Sequence, residues 1–302
     1  MKTILLTGKA GQVGHELVST LAPLGRVIAV GRDRLDLTQP DSIVRCVRET
    51  APDIIVNAAG YTSVDDAESE PELAQQINAT APGILADEAR RAGALLVHYS
   101  TDYVFDGTLD RPYTEDDAPN PVNTYGRSKL AGEHLITQAG CAHLILRASW
   151  IYSSRGSNFV LTMLRLAREK RELRVVSDQL GSPSWARALA LATRELLDRA
   201  GAASNTSGIY HFSAPDTVSR LDFALRIFEL ARKIPLQPDN WARLSPTTTA
   251  EFPLPAQRPL HAVTSKDKLQ RVFGIRMPGW EKQLEEFFRL SPDAMKTDVR
   301  ED

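Results

Sequence analysis

The stretch Thr3-Ile4-Leu5-Leu6-Thr7-Gly8-Lys9-Ala10-Gly11-Gln12-Val13-Gly14 decides the fold. Thr3–Thr7 form an apolar run with no polar alternation, the pattern of a strand covered on both faces. Gly8, Gly11 and Gly14 follow at once, spaced G-x-x-G-x-x-G, and a helical pattern starts at Gln12 and runs to Leu24. Glycines allow a tight turn and close backbone approach, and a helix N-terminus facing the loop attracts a pyrophosphate. Gly8, Gly11, Gln12, Val13 and Gly14 are therefore candidate cofactor-binding residues. A ligand-free tight turn is the alternative, and the order strand, loop, helix favours the cradle.

Beyond this unit, short apolar runs alternate with amphipathic ones. Strands are predicted at Arg26–Val30, Ile54–Asn57, Leu95–Ser100 and Leu144–Arg147, and helices at Asp41–Thr50, Glu72–Ala92 and up to Ala139. Repeated βα units imply a parallel sheet with right-handed crossovers. The expected class is α/β, a Rossmann-like doubly wound parallel sheet with a smaller C-terminal α/β lobe. Residues 1–152 are expected to form the cofactor-binding domain, with a segment near 183–207 returning to it, and 153–302 the mainly substrate-binding lobe. In that second half, helices are predicted at Asn158–Lys170, Arg187–Arg199, Leu221–Lys233, Lys266–Phe273 and Gly279–Leu290, and strands at Leu173–Val176 and Ile209–Phe212. Pro235–Pro259, rich in proline and threonine, reads as mostly loop. The polar last dozen residues are expected to fray.

Composition narrows the function. The 302 residues carry 36 Lys and Arg against 38 Asp and Glu, and the net charge of −2 excludes a broad polyanion-binding surface. Cys46 and Cys141 read as reduced thiols. No N-terminal leader pattern and no run of about 20 apolar residues is seen, so the expectation is a cytoplasmic protein that meets neither nucleic acid nor membrane.

Two further motifs carry chemistry. At the end of the second strand, Val30-Gly31-Arg32 offers a cation where an adenosine 2′-phosphate would lie, which favours NADPH over NADH. NADH, or a plain solvated arginine, is the alternative. Downstream, Tyr125-Gly126-Arg127-Ser128-Lys129 puts a phenol and an ammonium at i and i+4 on one helix face. A nearby ammonium lowers a phenol's pKa, giving a group able to protonate a developing alkoxide. A hydroxyl from Ser100 or Thr101 is expected beside it, at the carboxyl edge of the sheet.

Together these features identify the chain as similar to the extended short-chain dehydrogenases/reductases. More narrowly it resembles the dTDP-4-dehydrorhamnose reductase family. The matching stretches include Asn57–Glu68, Ser100–Gly107, Arg147–Tyr152, Asp178–Pro183 and Arg258-Pro259, in order along nearly the whole chain. The resemblance implies a catalytic trio of Thr101, Tyr125 and Lys129. It implies that Asp36 and Leu37 border the adenine, that Ala59, Gly60, Tyr61, Thr62 and Tyr99 line the cofactor, and that Asp102 and Trp150 meet the substrate. The implied reaction is NADPH-dependent reduction of the C4 ketone of a dTDP-linked 4-keto-6-deoxy sugar. Trp150 as core, Asp102 as a turn cap and Arg258 as a salt bridge rather than a diphosphate ligand are the competing readings.

The chain departs from the family pattern at one place. Some members dimerise through magnesium held by glutamates; Glu16 fits one position, but Arg187 stands where an acid is expected. A cation opposes a hard metal, so no metal and a monomer or weak homodimer are expected. The turn Gly181-Ser182-Pro183 is followed by Ser184 and Trp185, and Trp185 adds an aromatic beside the expected substrate lobe. The rival functions are a reductase of another nucleotide-linked 4-keto-6-deoxy sugar, an epimerase or dehydratase, and a non-catalytic regulator of methionine adenosyltransferase. The intact trio argues against the last.

Overall fold

A computed structural model describes residues 1–200, 206–234 and 241–291. The first half runs β1 (Lys2–Thr7), α1 (Gln12–Thr20), β2 (Gly25–Val30), α2 (Pro40–Thr50), β3 (Ile54–Asn57), α3 (Ala81–Ala92), β4 (Leu95–Thr101), α4 (Thr124–Ala139) and β5 (His143–Ala148). The second half adds α5 (Phe159–Glu169), β6 (Glu172–Val176), α6 (Ala186–Ala200), β7 (Gly208–His211), α7 (Arg220–Arg232), β8 (Arg243–Thr247), α8 (Asp267–Phe273) and α9 (Trp280–Leu290).

The main sheet has the order β7-β5-β4-β3-β1-β2 and is parallel throughout. Strand alternation divides its apolar residues between two layers. Ile4 and Leu6 face a core shared with Leu17 of α1, Leu189 and Leu196 of α6, and Leu269 of α8. Leu5, between them, faces Ile43 and Val47 of α2, Leu85 of α3 and Ile136 of α4. Both faces are thus covered, which is why β1 reads as an unbroken apolar run. The order reverses between β1 and β3, and at that switch point the loops after the two strands part to leave a ligand crevice.

A second core gathers Tyr152, Val160, Leu164, Trp185, Phe223, Phe228, Trp280, Leu284 and Phe287. It is built from α5, α7 and α9. One short pairing, Ile151–Tyr152 with Ser184–Trp185, joins it to the first half, and another, Leu180–Gly181 with Val218–Ser219, lies within the second half.

Several expected elements differ in detail. The first helix ends at Thr20 and Pro23 diverts the chain into a 3-10 turn, Ala22–Leu24. The single helix expected over Glu72–Ala92 is segmented: Pro71–Gln75, a π-turn at Gln76–Thr80, then α3. Pro82 has no N–H to give the Asn78 carbonyl, and the ladder widens in the turn before it. The region expected to be loop contains β8, which pairs in parallel with β6, Leu244 opposite Leu173. Pro246 is tolerated there because a two-stranded sheet leaves each strand one free edge. Residues 235–240 of that region, and 292–302 of the polar tail, lie outside the described residues. Among the described residues no helix is long and apolar enough to cross a membrane.

Candidate active site

The glycine loop is built for close approach. Gly8 sits at φ 74°, where L side chains are strained. A Cβ at Gly14 would lie 2.0 Å from the Gly8 carbonyl oxygen, and one at Gly8 would lie 2.8 Å from the Ala58 carbonyl carbon. Gly11 caps α1 without a side chain to offer, so the helix's first N–H groups face the crevice unspent. Gln12 Oε1 is buried there without a partner. A backbone cradle, a helix N-terminus and an orphaned polar atom fit a dinucleotide pyrophosphate. Val13 is buried in the core beneath. Arg32 is exposed just past β2. The Asp36 carboxylate accepts from the Thr38 amide and hydroxyl at 2.9 and 2.8 Å, which fixes the turn carrying Leu37.

The segment Ala59–Thr62 leaves β3 across the crevice. Asn57 Oδ1 accepts from the Ala59 amide, and Asn78 Oδ1 accepts from the Tyr61 amide at 2.9 Å. Asn78 Nδ2 donates to the Tyr61 carbonyl and to Ser128 Oγ, tying this segment to the Tyr-x-x-x-Lys helix. The π-turn carries Asn78, and Gly132 of α4 lets its backbone approach: a Cβ at Gly132 would meet the Asn78 carbonyl at 2.1 Å.

The paired-hydroxyl question at the end of β4 is answered by strand alternation. Ser100 Oγ turns away and donates to the buried Glu133 at 2.5 Å. Thr101 takes the other side, where its Oγ1 accepts from the Tyr103 amide at 3.1 Å and lies beside the Tyr125 hydroxyl. Asn123 caps α4, accepting from the Gly126 amide at 2.7 Å, and so sets the pitch at which Tyr125 and Lys129 emerge.

Lys129 is not turned to the phenol. Its Nζ donates to the Tyr99 carbonyl at 2.6 Å and lies 3.2 Å from His98 Nε2. Burial pushes the ammonium pKa down to about 8, with Glu133 opposing. Burial raises the Tyr125 phenol above its ordinary value, only partly offset by the bond with Thr101. Desolvation thus sets the balance, and Tyr125 is held as a protonated acid. Tyr99 contributes its carbonyl; its phenol points into the core, sharing a 2.6 Å hydrogen bond with Thr193.

Tyr103, whose ring meets Tyr125 edge-on, lines a cleft of about 620 Å³ together with Thr62, Trp150, Arg220 and Arg258. Trp150 adopts φ 42°, and Arg220 lies over its ring, 3.5 Å from the centroid. Asp102 is buried below, accepting from Ser149 Oγ at 2.6 Å and from Thr101 Oγ1 at 3.2 Å. Burial raises its carboxyl to about 6. Arg258 makes a two-pronged ion pair with Asp65 at 2.8 and 2.7 Å. Trp185 stands apart, packed in the second core against Phe287. Glu16 lies on α1 and Arg187 on α6; among the described residues no group of three or more His, Cys, Asp or Glu could hold a metal.

Three contributors carried no recognisable sequence signal: Asn78, His98 and Arg220 are isolated residues until the fold brings them together.

A doubly wound sheet with a glycine cradle at its switch point and a Thr, Tyr and Lys cluster under a deep cleft defines a short-chain dehydrogenase/reductase of the extended type. The family model described as the RmlD substrate binding domain matches residues 1–291, and the chain belongs to that family. It is 45% identical over 282 residues to a dTDP-4-dehydrorhamnose reductase of Burkholderia thailandensis, covering 92% of this chain and 95% of the relative. Identity is also 45% over 284 residues to the dTDP-4-dehydrorhamnose reductase of Escherichia coli K12, covering 92% and 94%. Among solved structures, a dTDP-4-dehydrorhamnose reductase from Bacillus anthracis in complex with NADP superposes with TM-score 0.88 at 36% identity, covering 96% of this chain and 99% of that one.

Proposed function

We propose that this chain reduces the C4 ketone of dTDP-4-dehydro-L-rhamnose to dTDP-L-rhamnose with NADPH, the last step of dTDP-rhamnose synthesis. The carrying observation is the grouping of Thr101, Tyr125 and Lys129 behind Tyr103, whose amide donates to Thr101, whose ring meets Tyr125 edge-on, and which lines the cleft. Relatives that share this layout over more than nine-tenths of the chain are named for that reaction. Residues 1–152, joined by α6, β7 and α8, serve as the cofactor half, and the core of α5, α7 and α9 serves as the substrate lobe.

The residues divide the work as follows. The α1 N-terminus with Gly8, Gly11 and Gly14 holds the pyrophosphate, and Asp36–Leu37 and Ala59–Thr62 flank the adenosine and ribose. The nicotinamide dinucleotide, when bound, supplies the hydride. Thr101 hydrogen-bonds the ketone oxygen and orients it beside Tyr125. Tyr125, protonated at neutral pH, gives its proton to that oxygen as negative charge develops there. Lys129, fixed between the Tyr99 carbonyl and His98, places a positive charge under the site that favours the phenolate left behind. Trp150 and Asp102 shape the sugar pocket.

Arg32 favours NADPH, and the neighbouring structure bound to NADP supports a cofactor of that type. The test is an assay with dTDP-4-dehydro-L-rhamnose, following NADPH absorbance and identifying the product sugar by NMR. Consumption with a different 4-keto-6-deoxy sugar alone would shift the assignment to a sister reductase, and no consumption would favour a regulatory role. Light scattering with and without EDTA tests the metal-free monomer or weak dimer; a dimer that EDTA dissolves would overturn it.

A further inference from the structure

Three cations line the cleft: Arg174, Arg220 and Arg258. Two are already neutralised. Arg174 pairs with Glu251 at 2.9 Å, and Arg258 grips Asp65 through both guanidinium arms. Among the described residues, Arg220 takes part in no such ion pair. Its guanidinium lies on the faces of Trp150 and Phe159, 3.5 and 4.9 Å from their centroids, with the Tyr103 hydroxyl beside it. Asp102 acts on it through space, but both Asp102 oxygens are occupied by Ser149 and Thr101.

This is an unusual position for an arginine. Removal from water disfavours its charge, and no carboxylate at contact distance offsets that cost. The aromatic seat holds the guanidinium plane flat and leaves its N–H edge as the donor surface. Such an edge matches the paired oxygens of a phosphate. Helix α7 fixes the residue, because Ser219 caps it and Arg220 is its first residue.

We propose that Arg220 is the diphosphate-binding residue of the substrate cleft, engaging the phosphate oxygens of the nucleotide sugar from its seat on Trp150. Arg258, which the sequence motif singled out for that role, is instead committed to Asp65, where it ties the loop after β3 to the segment 256–258. The assignment rests on the reading of the cleft as a nucleotide-sugar site.

The experiment is calorimetric titration of dTDP and of thymidine into the intact protein and into Arg220→Gln and Arg220→Lys. Arg220→Gln is expected to weaken dTDP at least tenfold and to leave thymidine and NADPH affinity unchanged. Arg220→Lys, which keeps charge but loses the fork, is expected to fall between. Equal dTDP affinity in the intact protein and Arg220→Gln would overturn the assignment while leaving the nucleotide-sugar reading in place. Equal weakening of dTDP and thymidine would make Arg220 a packing residue and would also overturn it. Failure of the intact protein to bind dTDP would sink both readings together.

Discussion

A Cβ placed on Gly181 would lie 2.3 Å from Cε2 of Trp150 and 2.6 Å from Cζ2. The indole fills the space that any other residue at 181 would need. Gly181 also pairs with Val218, two residues before Arg220, so its missing side chain seats both members of the Trp150–Arg220 stack. Trp150 holds φ 42°, a conformation that costs a non-glycine residue on the order of 1 kcal/mol and persists only where the surroundings enforce it. Gly181→Ala is therefore expected to lower kcat/KM for the nucleotide sugar about tenfold or more and to leave NADPH affinity intact. Steady-state kinetics at saturating NADPH read this directly. An unchanged kcat/KM would show that the indole has no part in substrate recognition.

Tyr125→Phe removes the phenol proton beside Thr101 and keeps the ring's edge-on contact with Tyr103. Loss of a positioned general acid typically costs about 10²–10⁴-fold. The expected result is a fall of that size in kcat with NADPH binding preserved, as followed by nucleotide fluorescence. Wild-type turnover in Tyr125→Phe would take the phenol out of the mechanism.

How much of this could be read from the sequence depends on how local each feature is. The cradle was legible because strand, glycines and helix are contiguous, and so was the Tyr125–Lys129 face because it is one helical turn. The choice between Ser100 and Thr101 was open, since alternation settles it only when the buried side is known; Glu133 supplied that. The anchoring of Lys129 was not legible, because spacing gives proximity along the helix and says nothing of the Tyr99 carbonyl that takes the ammonium. Strand β8 was hidden because its pairing partner, β6, lies about 70 residues earlier, and its own residues include a proline. Arg220 was invisible for the same reason: Trp150 is distant in sequence, and a single arginine at a helix start has no pattern.

The buried lysine gives the reaction a basic limb. Lys129 is charged below about 8 and neutral above. As its charge is lost, the phenolate left after proton transfer loses support, so kcat/KM should fall as pH rises through about 8. Stability moves the other way. Between about 8 and the ordinary lysine value of 10.5, the unfolded chain binds the proton that native Lys129 has released, so this group's contribution makes folding more favourable as pH rises. An activity loss without a melting transition in that window is the expected pair of observations. A flat kcat/KM profile from pH 7 to 9.5 would contradict it.

Asp102 has the opposite linkage. Its carboxyl is raised from 3.8 to about 6, so between those values the native state holds the proton more tightly and stability falls as pH rises. Ionised above about 6, the buried carboxylate costs up to about 3 kcal/mol. Asp102→Asn, still able to accept from Ser149, should raise Tm at pH 8 and leave it unchanged near pH 3.5. The same variant should lose activity if the carboxylate meets the sugar. A Tm difference that is equal at both pH values would mean that the gain is packing rather than charge.

Beneath the trio, Arg147 and Glu133 form an ion pair with side chains only 2% and 1% exposed, joined by contacts of 2.6 and 2.9 Å. Arg147 belongs to β5 and Glu133 to α4, and Ser100 of β4 donates to the same carboxylate. The Glu133 carboxylate therefore ties both β5, through Arg147, and the strand that carries Thr101, through Ser100, to the helix that carries Tyr125 and Lys129. Two charges taken from water gain little net stability over an apolar pair, but removing one partner strands the other in the core. Glu133→Leu or Arg147→Met alone should each cost about 3–5 kcal/mol in urea unfolding. The double variant should recover much of that loss, giving a large favourable coupling in the cycle. Turnover should stay low in the double variant even where stability returns, because Ser100 then has no acceptor and the end of β4 loses its anchor to α4. If the two single losses simply add, the pair is not coupled, and packing against Phe105, whose ring lies 5.1 Å from the Arg147 guanidinium, would hold β5 in place instead.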